Sequence, residues 1–285
     1  MRPVEMFELV PLLNGLNSLR SLDNQETFHP KIGPAAEAQL LHTEQQKIVE
    51  RARASADFSI WDVGLGAAAN ALAVIRALEN ELPTRHGSPV QIHSFDKTLG
   101  PVQFALENAL ELGYLTGFED KIRQLLKNGN VSFDYRIQWQ LHLGNFCETI
   151  KTLELRAPDA IFYDPYSVKS NIEMWTLAHF SLLYAKLDPD RPCLITNYTA
   201  STYVRVTLLL AGFHVGWGRG IAQKLHTTVF SNRLDLLERP LDLEWLEKRV
   251  RISHSADAIR NIPYEIAPIS EADYAVLQAH PQFAK

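Results

Sequence analysis

Residues 58–77 read FSIWDVGLGAAANALAVIRA, and the stretch changes character twice along its length. Residues 58–63 are too few for a helix and are rich in aromatic and β-branched types, which spells a short buried strand. The run breaks at Gly64-Leu65-Gly66 and resumes as an alanine-rich segment with apolar residues at helical spacing. Strand, tight glycine turn and helix follow one another without a linker. Glycine at 64 and 66 permits backbone conformations that a Cβ forbids and removes bulk where a ligand can lie close. The helix after it directs free N–H groups and its positive dipole end toward such a ligand, while Ala67, Ala68 and Ala69 allow close helix–strand packing. This is the nucleotide-binding opening of a doubly wound sheet, although the same pattern also occurs in plain α/β packing.

Upstream, Asn14-Gly15 between apolar-containing runs predicts a hairpin, and residues 34–54 (PAAEAQLLHTEQQKIVERARA) predict one helix that starts at Pro34 and aligns Ala38, Leu41, Gln45, Ile48 and Ala52. Downstream, strands are expected over 90–96, 135–143, 159–163, 192–198, 213–217 and 225–230. Helices are expected from Pro101 through Leu112 and over 172–187, 203–211 and 243–250, with irregular, proline-containing chain after that. Strands alternating with helices argue for a mainly parallel sheet covered on both faces. The short link before 225–230 makes that last strand antiparallel to its predecessor. Five βα units closed by an antiparallel hairpin is the class I methyltransferase arrangement: a Rossmann-like α/β fold with a mostly parallel seven-stranded sheet. The expected organisation is an N-terminal extension over 1–55, a methyltransferase domain over 56–232 and a C-terminal extension over 233–285.

Composition narrows the function classes. At 285 residues, 46% hydrophobic and 21% charged, the chain reads as an ordinary globular protein without a membrane span or a secretion signal, and its expected place is the cytoplasm. Cys147 and Cys193 are far apart and form no CxxC, and the histidines (His29, His42, His93, His142 and His226 among them) lack metal-ligand spacing, so no metal is expected. A net charge of −5 gives no global basic field, so a nucleic-acid partner requires a local patch.

Ligands of open parallel sheets sit beyond the carboxyl ends of the strands, so the residues there are the informative ones. They are Asp62 with Gly64 and Gly66, Asp96, Asn145, and Asp164-Pro165-Tyr166. Asp96 can accept two ribose hydroxyls, or serve as a helix-start acid. Asn145 can read an adenine edge, or cap the following helix. Asp164 sits between a buried strand and a proline that fixes a turn, and Asp-Pro is also a common turn dipeptide. Tyr163 and Tyr166 flank it as flat walls. Its turn is similar to the Asp/Asn-Pro-Pro-aromatic turn of amino-group methyltransferases, one proline short. Cys147, at a helix start, is a small core residue before it is a reactive thiol, since no base pairs with it.

The blocks ETFHPKIGPAAEAQLLH (26–42), DVGLGAAANAL (62–72), APDAIFYDPYSVKSNIEMWT (157–176), TNYTASTYVRVTLLLAGFHV (196–215) and GRGIAQK (218–224) lie in the order and spacing of one family. Over about residues 14–230 the chain resembles the MnmC-type tRNA 5-aminomethyl-2-thiouridine methyltransferases in their stand-alone form, without an oxidase domain. The resemblance implies S-adenosylmethionine as cofactor and methylation of an aminomethyl group on wobble uridine of tRNA, downstream of another tRNA-modifying enzyme. It implies Gly64 and Gly66 under the methionine end, Asp96 on the ribose, Asn145 near the adenine, Asp62 opening the loop and Asp164 at the methyl-transfer centre. Phe28, His29, Gly33 and Glu37 match a segment that lines the site; Tyr166 is expected with Asp164 at the catalytic centre, and Tyr198 beside it as a substrate-facing aromatic wall. The family's glycine-phenylalanine after the central acid is Pro165-Tyr166 here, its acid at the third strand is Asn145, and its basic run is reduced to Lys224. Arg205, Arg219 and Lys169 are further candidates for phosphate contacts. The alternatives are a methyltransferase for another amine or small molecule, and a non-catalytic or nicotinamide-binding Rossmann-like module.

Overall fold

The computed structural model describes residues 6–29, 32–82, 88–221 and 225–283. A hairpin opens it: β1 (Phe7–Pro11) pairs antiparallel with β2 (Asn17–Ser21), and the two-residue β3 (Glu26–Thr27) adds to β2. The predicted helix over 34–54 is broken. It consists of α1 (Pro34–Ala38), a wide π turn (Gln39–Glu44) and α2 (Ile48–Ala54), with Lys47 left-handed at φ 51°. Buried polar side chains explain the break. The wide turn lets His42 Nδ1 reach Thr196 Oγ1 at 2.8 Å, and lets Gln46 donate to Thr196 Oγ1 and the Ile161 carbonyl at 2.7 and 2.9 Å. Leaving those groups unpaired inside the protein would cost more than the lost helical turn.

The central strand–turn–helix is β4 (Ser59–Val63), the glycine turn and α3 (Ala69–Glu81). It is followed by β5 (Val90–Asp96), α4 (Gly100–Glu107) and α5 (Ala109–Leu112), which break apart at Asn108, then α6 (Glu119–Asn128), β6 (Asn130–Phe133), β7 (Ile137–Leu143) and α7 (Phe146–Thr152). Next come β8 (Ala160–Tyr163), a 3-10 turn (Ile172–Trp175), α8 (Leu177–Ala185), β9 (Leu194–Asn197), α9 (Thr202–Leu210), β10 (His214–Gly218) and β11 (Thr227–Ser231). The predicted helix over 172–187 is split because Thr176 is extended and its hydroxyl caps α8 by accepting the His179 N–H.

Among the described residues the main sheet has eight strands in the order β10-β11-β9-β8-β4-β5-β7-β6. Strands β7, β5, β4, β8 and β9 are parallel, and β11 runs antiparallel between β9 and β10. Those seven strands are the expected class I arrangement. The eighth, β6, is an antiparallel edge strand that the sequence reading lacks, as it lacks α6 before it. Every residue of β4 is buried, as befits a central parallel strand, and its side chains alternate between two apolar clusters. Trp61 and Val63 join the cluster with Tyr163, Trp175 and Phe230, while Ile60 joins the one with Leu72, Ile92 and Phe162. The last segment is less irregular than expected. The helix expected over 243–250 is α10 (Leu243–Trp245), capped by Asp242, running into a π turn (Leu246–Val250). Ser270 caps α11 (Glu271–Gln278), Leu277 and Phe283 enter the first cluster, and Gln282 bonds Val215 and Leu241. No helix among the described residues is long and apolar enough to cross a membrane.

Asp62 is the one fully buried acid within the central strand. Its Oδ2 accepts the Ser94 hydroxyl at 2.7 Å, and Ser94 in turn accepts Trp139 Nε1 at 2.8 Å. Burial pushes its carboxyl up to about 8, with Asp164 and Asp96 adding in the same direction and Ser94 opposing. The folded protein therefore holds a proton here that the unfolded chain releases near pH 4. The resulting stabilisation is complete below that pH, declines as pH rises toward 8, and changes no further above it. A tenfold displacement of proton affinity is worth about 1.4 kcal/mol, so the decline reaches several kcal/mol. Asp62→Asn removes the titration. Thermal melts from pH 5 to 8.5 are expected to show the variant losing less stability than the wild type across this range; parallel curves would refute the buried proton.

Candidate active site

The carboxyl ends of β5, β4 and β8 open on a cavity of about 260 Å³. Its floor is the glycine turn. Gly64 has φ 96°, and a Cβ there would lie 2.6 Å from the Asp164 carbonyl oxygen, so the neighbouring strand end by itself demands glycine here. Gly66 has φ 52°, and a Cβ there would meet the Phe28 ring at 3.1 Å. The loop amides are also engaged: Gly64 and Leu65 donate to the Phe95 carbonyl, and Gly66 donates to Asp96 Oδ2 at 2.9 Å. Asp96 thus clamps the loop to β5. Its Oδ1 accepts the Thr98 N–H at 3.2 Å, and a carboxylate with about four acceptor positions retains capacity for hydroxyl donors.

Asp164 follows β8, its N–H still bonded to the Val63 carbonyl at 2.9 Å. Its Oδ2 accepts Asn70 Nδ2 at 2.9 Å and lies 4.0 Å from His29 Nε2. Asn70 escaped the sequence reading. The signal was present, since it is a polar residue in an otherwise apolar helical run just after the glycine turn. It lines the cavity, is 2% exposed, and its Oδ1 has no partner among the described residues. Glu26, Lys97 and Glu173 also line the cavity and were not anticipated.

The N-terminal segment forms another wall. Ser167 and Ser170 donate to Glu26, which ties β3 to the loop after Asp164, and the Phe28 ring meets Tyr166 edge-on at 5.5 Å. Phe28, His29, Glu37, Tyr166 and Tyr198 all line the cavity, and the Tyr198 hydroxyl donates to the Pro165 carbonyl at 3.1 Å. Tyr163 does not belong to this wall. It is fully buried, and its hydroxyl donates to the Met174 carbonyl inside the core. Asn145 lines the cavity and caps α7, its Oδ1 accepting the Cys147 N–H at 3.0 Å, which leaves its amide N–H groups as donors. Burial pushes the Cys147 thiol up to about 11, the opposite of activation. Asp62 lies behind the glycine turn and does not line the cavity.

The basic candidates separate. Arg205 is buried, donates to Thr228 Oγ1 and the Thr227 carbonyl, and stacks over Trp217, so it is a structural residue and not a phosphate contact. Arg219 and Lys169 are accessible to solvent. Lys224 lies outside the described residues. No group of three or more His, Cys, Asp or Glu among the described residues could hold a metal ion.

An acid clamped at the end of β5, a glycine turn leading into a thirteen-residue helix, and a buried orphan amide oxygen suit a ligand carrying hydroxyl and amino groups. Asp96→Ala is expected to lower affinity for S-adenosylhomocysteine about 10- to 100-fold, from losing hydrogen bonds to a charged group worth roughly 1.5–3 kcal/mol. Isothermal calorimetry measures this, and unchanged affinity would place the ligand elsewhere.

Residues 117–232 match the family model of an S-adenosyl-L-methionine-dependent methyltransferase. The structure is similar to MnmC2 from Aquifex aeolicus at 25% identity and TM-score 0.73, covering 97% of this chain and 86% of that one. It is also matched, at TM-score 0.46 and 10% identity, by spermidine synthase in complex with the transition-state analogue AdoDATO, over 100% of this chain and 82% of that one. None of the curated proteins matches the chain. Family match, strand order and the likeness to MnmC2 support an S-adenosylmethionine-dependent methyltransferase of the class I fold that is similar to MnmC2.

Proposed function

We propose that the chain methylates the nitrogen of an aminomethyl group on wobble uridine of tRNA. The observation that carries this reading is the Asp164 carboxylate, held by Asn70 beside the glycine turn and facing a histidine within a partly aromatic cavity. Bound S-adenosylmethionine supplies a methyl group activated on a sulfonium. In this reading Asp96 holds the ribose, Gly64 and Gly66 leave room for the methionine end, and Asn145 donates to the adenine. Asp62 shapes the loop from behind. Asp164 accepts an N–H of the substrate amine, aims its lone pair, and stabilises the positive charge that grows on nitrogen. Phe28, Tyr166 and Tyr198 offer apolar faces to an extruded base, with Glu37 and His29 lining the cavity beside Asp164.

The assignment of domains follows the same reading: residues 1–55 close the site, 56–232 hold the cofactor and 233–285 brace the sheet. Arg219, Lys169 and, from the resemblance, Lys224 would contact phosphates. The protein would work in the cytoplasm on tRNA already processed by an upstream enzyme. The burial of Arg205 favours a second reading, in which the acceptor is a small amine that needs no phosphate contacts. Nucleoside analysis of tRNA from cells lacking the protein tests the proposal. Accumulation of the unmethylated aminomethyl nucleoside supports it, and unchanged tRNA together with salt-independent tRNA binding would shift the assignment to the small amine.

A further inference from the structure

His29 occupies an unusual place. The Phe28 backbone is strapped to β2 through its N–H to the Leu19 carbonyl and its carbonyl to the Ser18 hydroxyl. The chain then enters the left-handed region at His29, φ 46°, and the imidazole lines the cavity. Side-chain-bearing residues adopt this conformation at a cost, and such strain concentrates at sites where a side chain must be aimed. Nε2 lies 4.0 Å from Asp164 Oδ2, too far for a hydrogen bond between them. Two acceptors at that separation can both reach one nitrogen placed about 2.9 Å from each.

We propose that His29 is the proton acceptor of the methyl transfer: the substrate enters as an alkylammonium, one N–H bonding Asp164 Oδ2 and another bonding His29 Nε2. The proposal rests on the reading of Asp164 as the acid at the transfer centre. An N–H bond of the ammonium breaks, its proton passes to Nε2, and its electron pair stays on nitrogen. That pair then forms the bond to the methyl carbon as the carbon–sulfur bond breaks, leaving its own pair on sulfur. The imidazolium returns its proton to water when the methylated ammonium leaves.

The surroundings suit both states of the ring. Burial holds His29 below its ordinary 6.5, so it is a free base near neutral pH, and Glu37 on α1 acts in the opposite direction. Asp164 on the strand side and Glu37 would offset the charge once the ring takes the proton. His42, in the π turn, is itself held well below 6.5 by burial and by His29, so it does not compete as a cation. Glu26, Asp96 and Glu173 line the same cavity and outnumber its Lys97, so acids still prevail there and favour a cationic substrate.

The test is the pH profile of single turnover on tRNA bearing the free aminomethyl group, at saturating cofactor, for wild type and His29→Asn. Asparagine tolerates the left-handed region, which protects folding, and a thermal melt confirms it. The expected wild-type profile has an acidic limb below pH 6.5, and the variant is expected to lose that limb and about 10²-fold in rate. A variant that keeps the limb overturns the proposal, even if its rate falls, because a structural role would slow the reaction without removing the titration. If the wild type leaves tRNA unmethylated, the wobble-uridine reading has failed and the histidine is judged directly. Histidine NMR in the presence of S-adenosylhomocysteine is then expected to show methylammonium chloride lowering the pH at which His29 titrates. A His29 titration that does not respond would overturn it.

Discussion

Asp164→Asn is expected to bind S-adenosylhomocysteine with near-normal affinity and to transfer methyl roughly 10²-fold more slowly, or worse. The substitution preserves size and one acceptor oxygen, so the Asn70 amide at 2.9 Å can keep a partner. In the proposed reaction it removes the negative charge that would face the nitrogen on which positive charge develops. In a cavity with apolar walls, where water screens little, that charge carries more weight than it would in bulk solvent. The turn itself survives, because its shape comes from Pro165, the Asp164 N–H to Val63, and the Glu26 strap on Ser167 and Ser170. Single-turnover assays at saturating cofactor separate the two terms. A variant with the wild-type rate would reduce Asp164 to a turn residue, and a variant that has lost cofactor affinity would assign it to binding.

What the sequence made legible follows from how local each signal is. The strand–glycine–helix opening and the strand-end acids Asp96 and Asp164 are written in consecutive residues, and five parallel strands in succession leave few topologies. Elements whose cause lies elsewhere in the fold were not legible. The π turn after α1 exists because His42 and Gln46 must reach β8 and β9, more than a hundred residues away in sequence. The edge strand β6 is short and half exposed, so its hydrophobic pattern is faint. Tyr163 and Tyr166 look alike beside Asp164, yet strand alternation sends the first into the core and the turn sends the second into the cavity. Arg205 reads as a surface base until its helix is docked, after which Trp217 and β11 enclose it. Asn70 was hidden for a different reason: within an apolar helix only its partner, Asp164, gives it meaning.

The glycine turn yields the other large effect, and it separates two residues that the sequence treats as equivalent. Gly64→Ala places a Cβ 2.6 Å from the backbone oxygen of Asp164, at φ 96°, where L residues are strained. Backbone on both sides cannot swing away as a side chain can, so the turn and the end of β8 must separate. That displaces Asp164 from Asn70 and loosens Gly66 from Asp96 in one step. The expected outcome is a loss of cofactor binding beyond calorimetric detection and a destabilisation of roughly 3 kcal/mol or more, from strain of about 1–3 kcal/mol plus the forced shift. Gly66→Ala differs in kind. Its φ of 52° lies in the left-handed region open to other residues at a cost of roughly 1–2 kcal/mol, and the close contact of its new Cβ is with the Phe28 ring, at 3.1 Å, the Gly64 carbonyl oxygen lying at an ordinary 3.9 Å. The ring can tilt, so binding is expected to weaken about tenfold while the fold holds; a β-branched residue at 66 would displace Phe28 and abolish binding. Calorimetry and melting of the two alanine variants side by side decide the matter. Equal effects would show that the turn, and with it Asp164, is free to move away from β4, and the rigid arrangement of acid and cofactor loop would have to be abandoned.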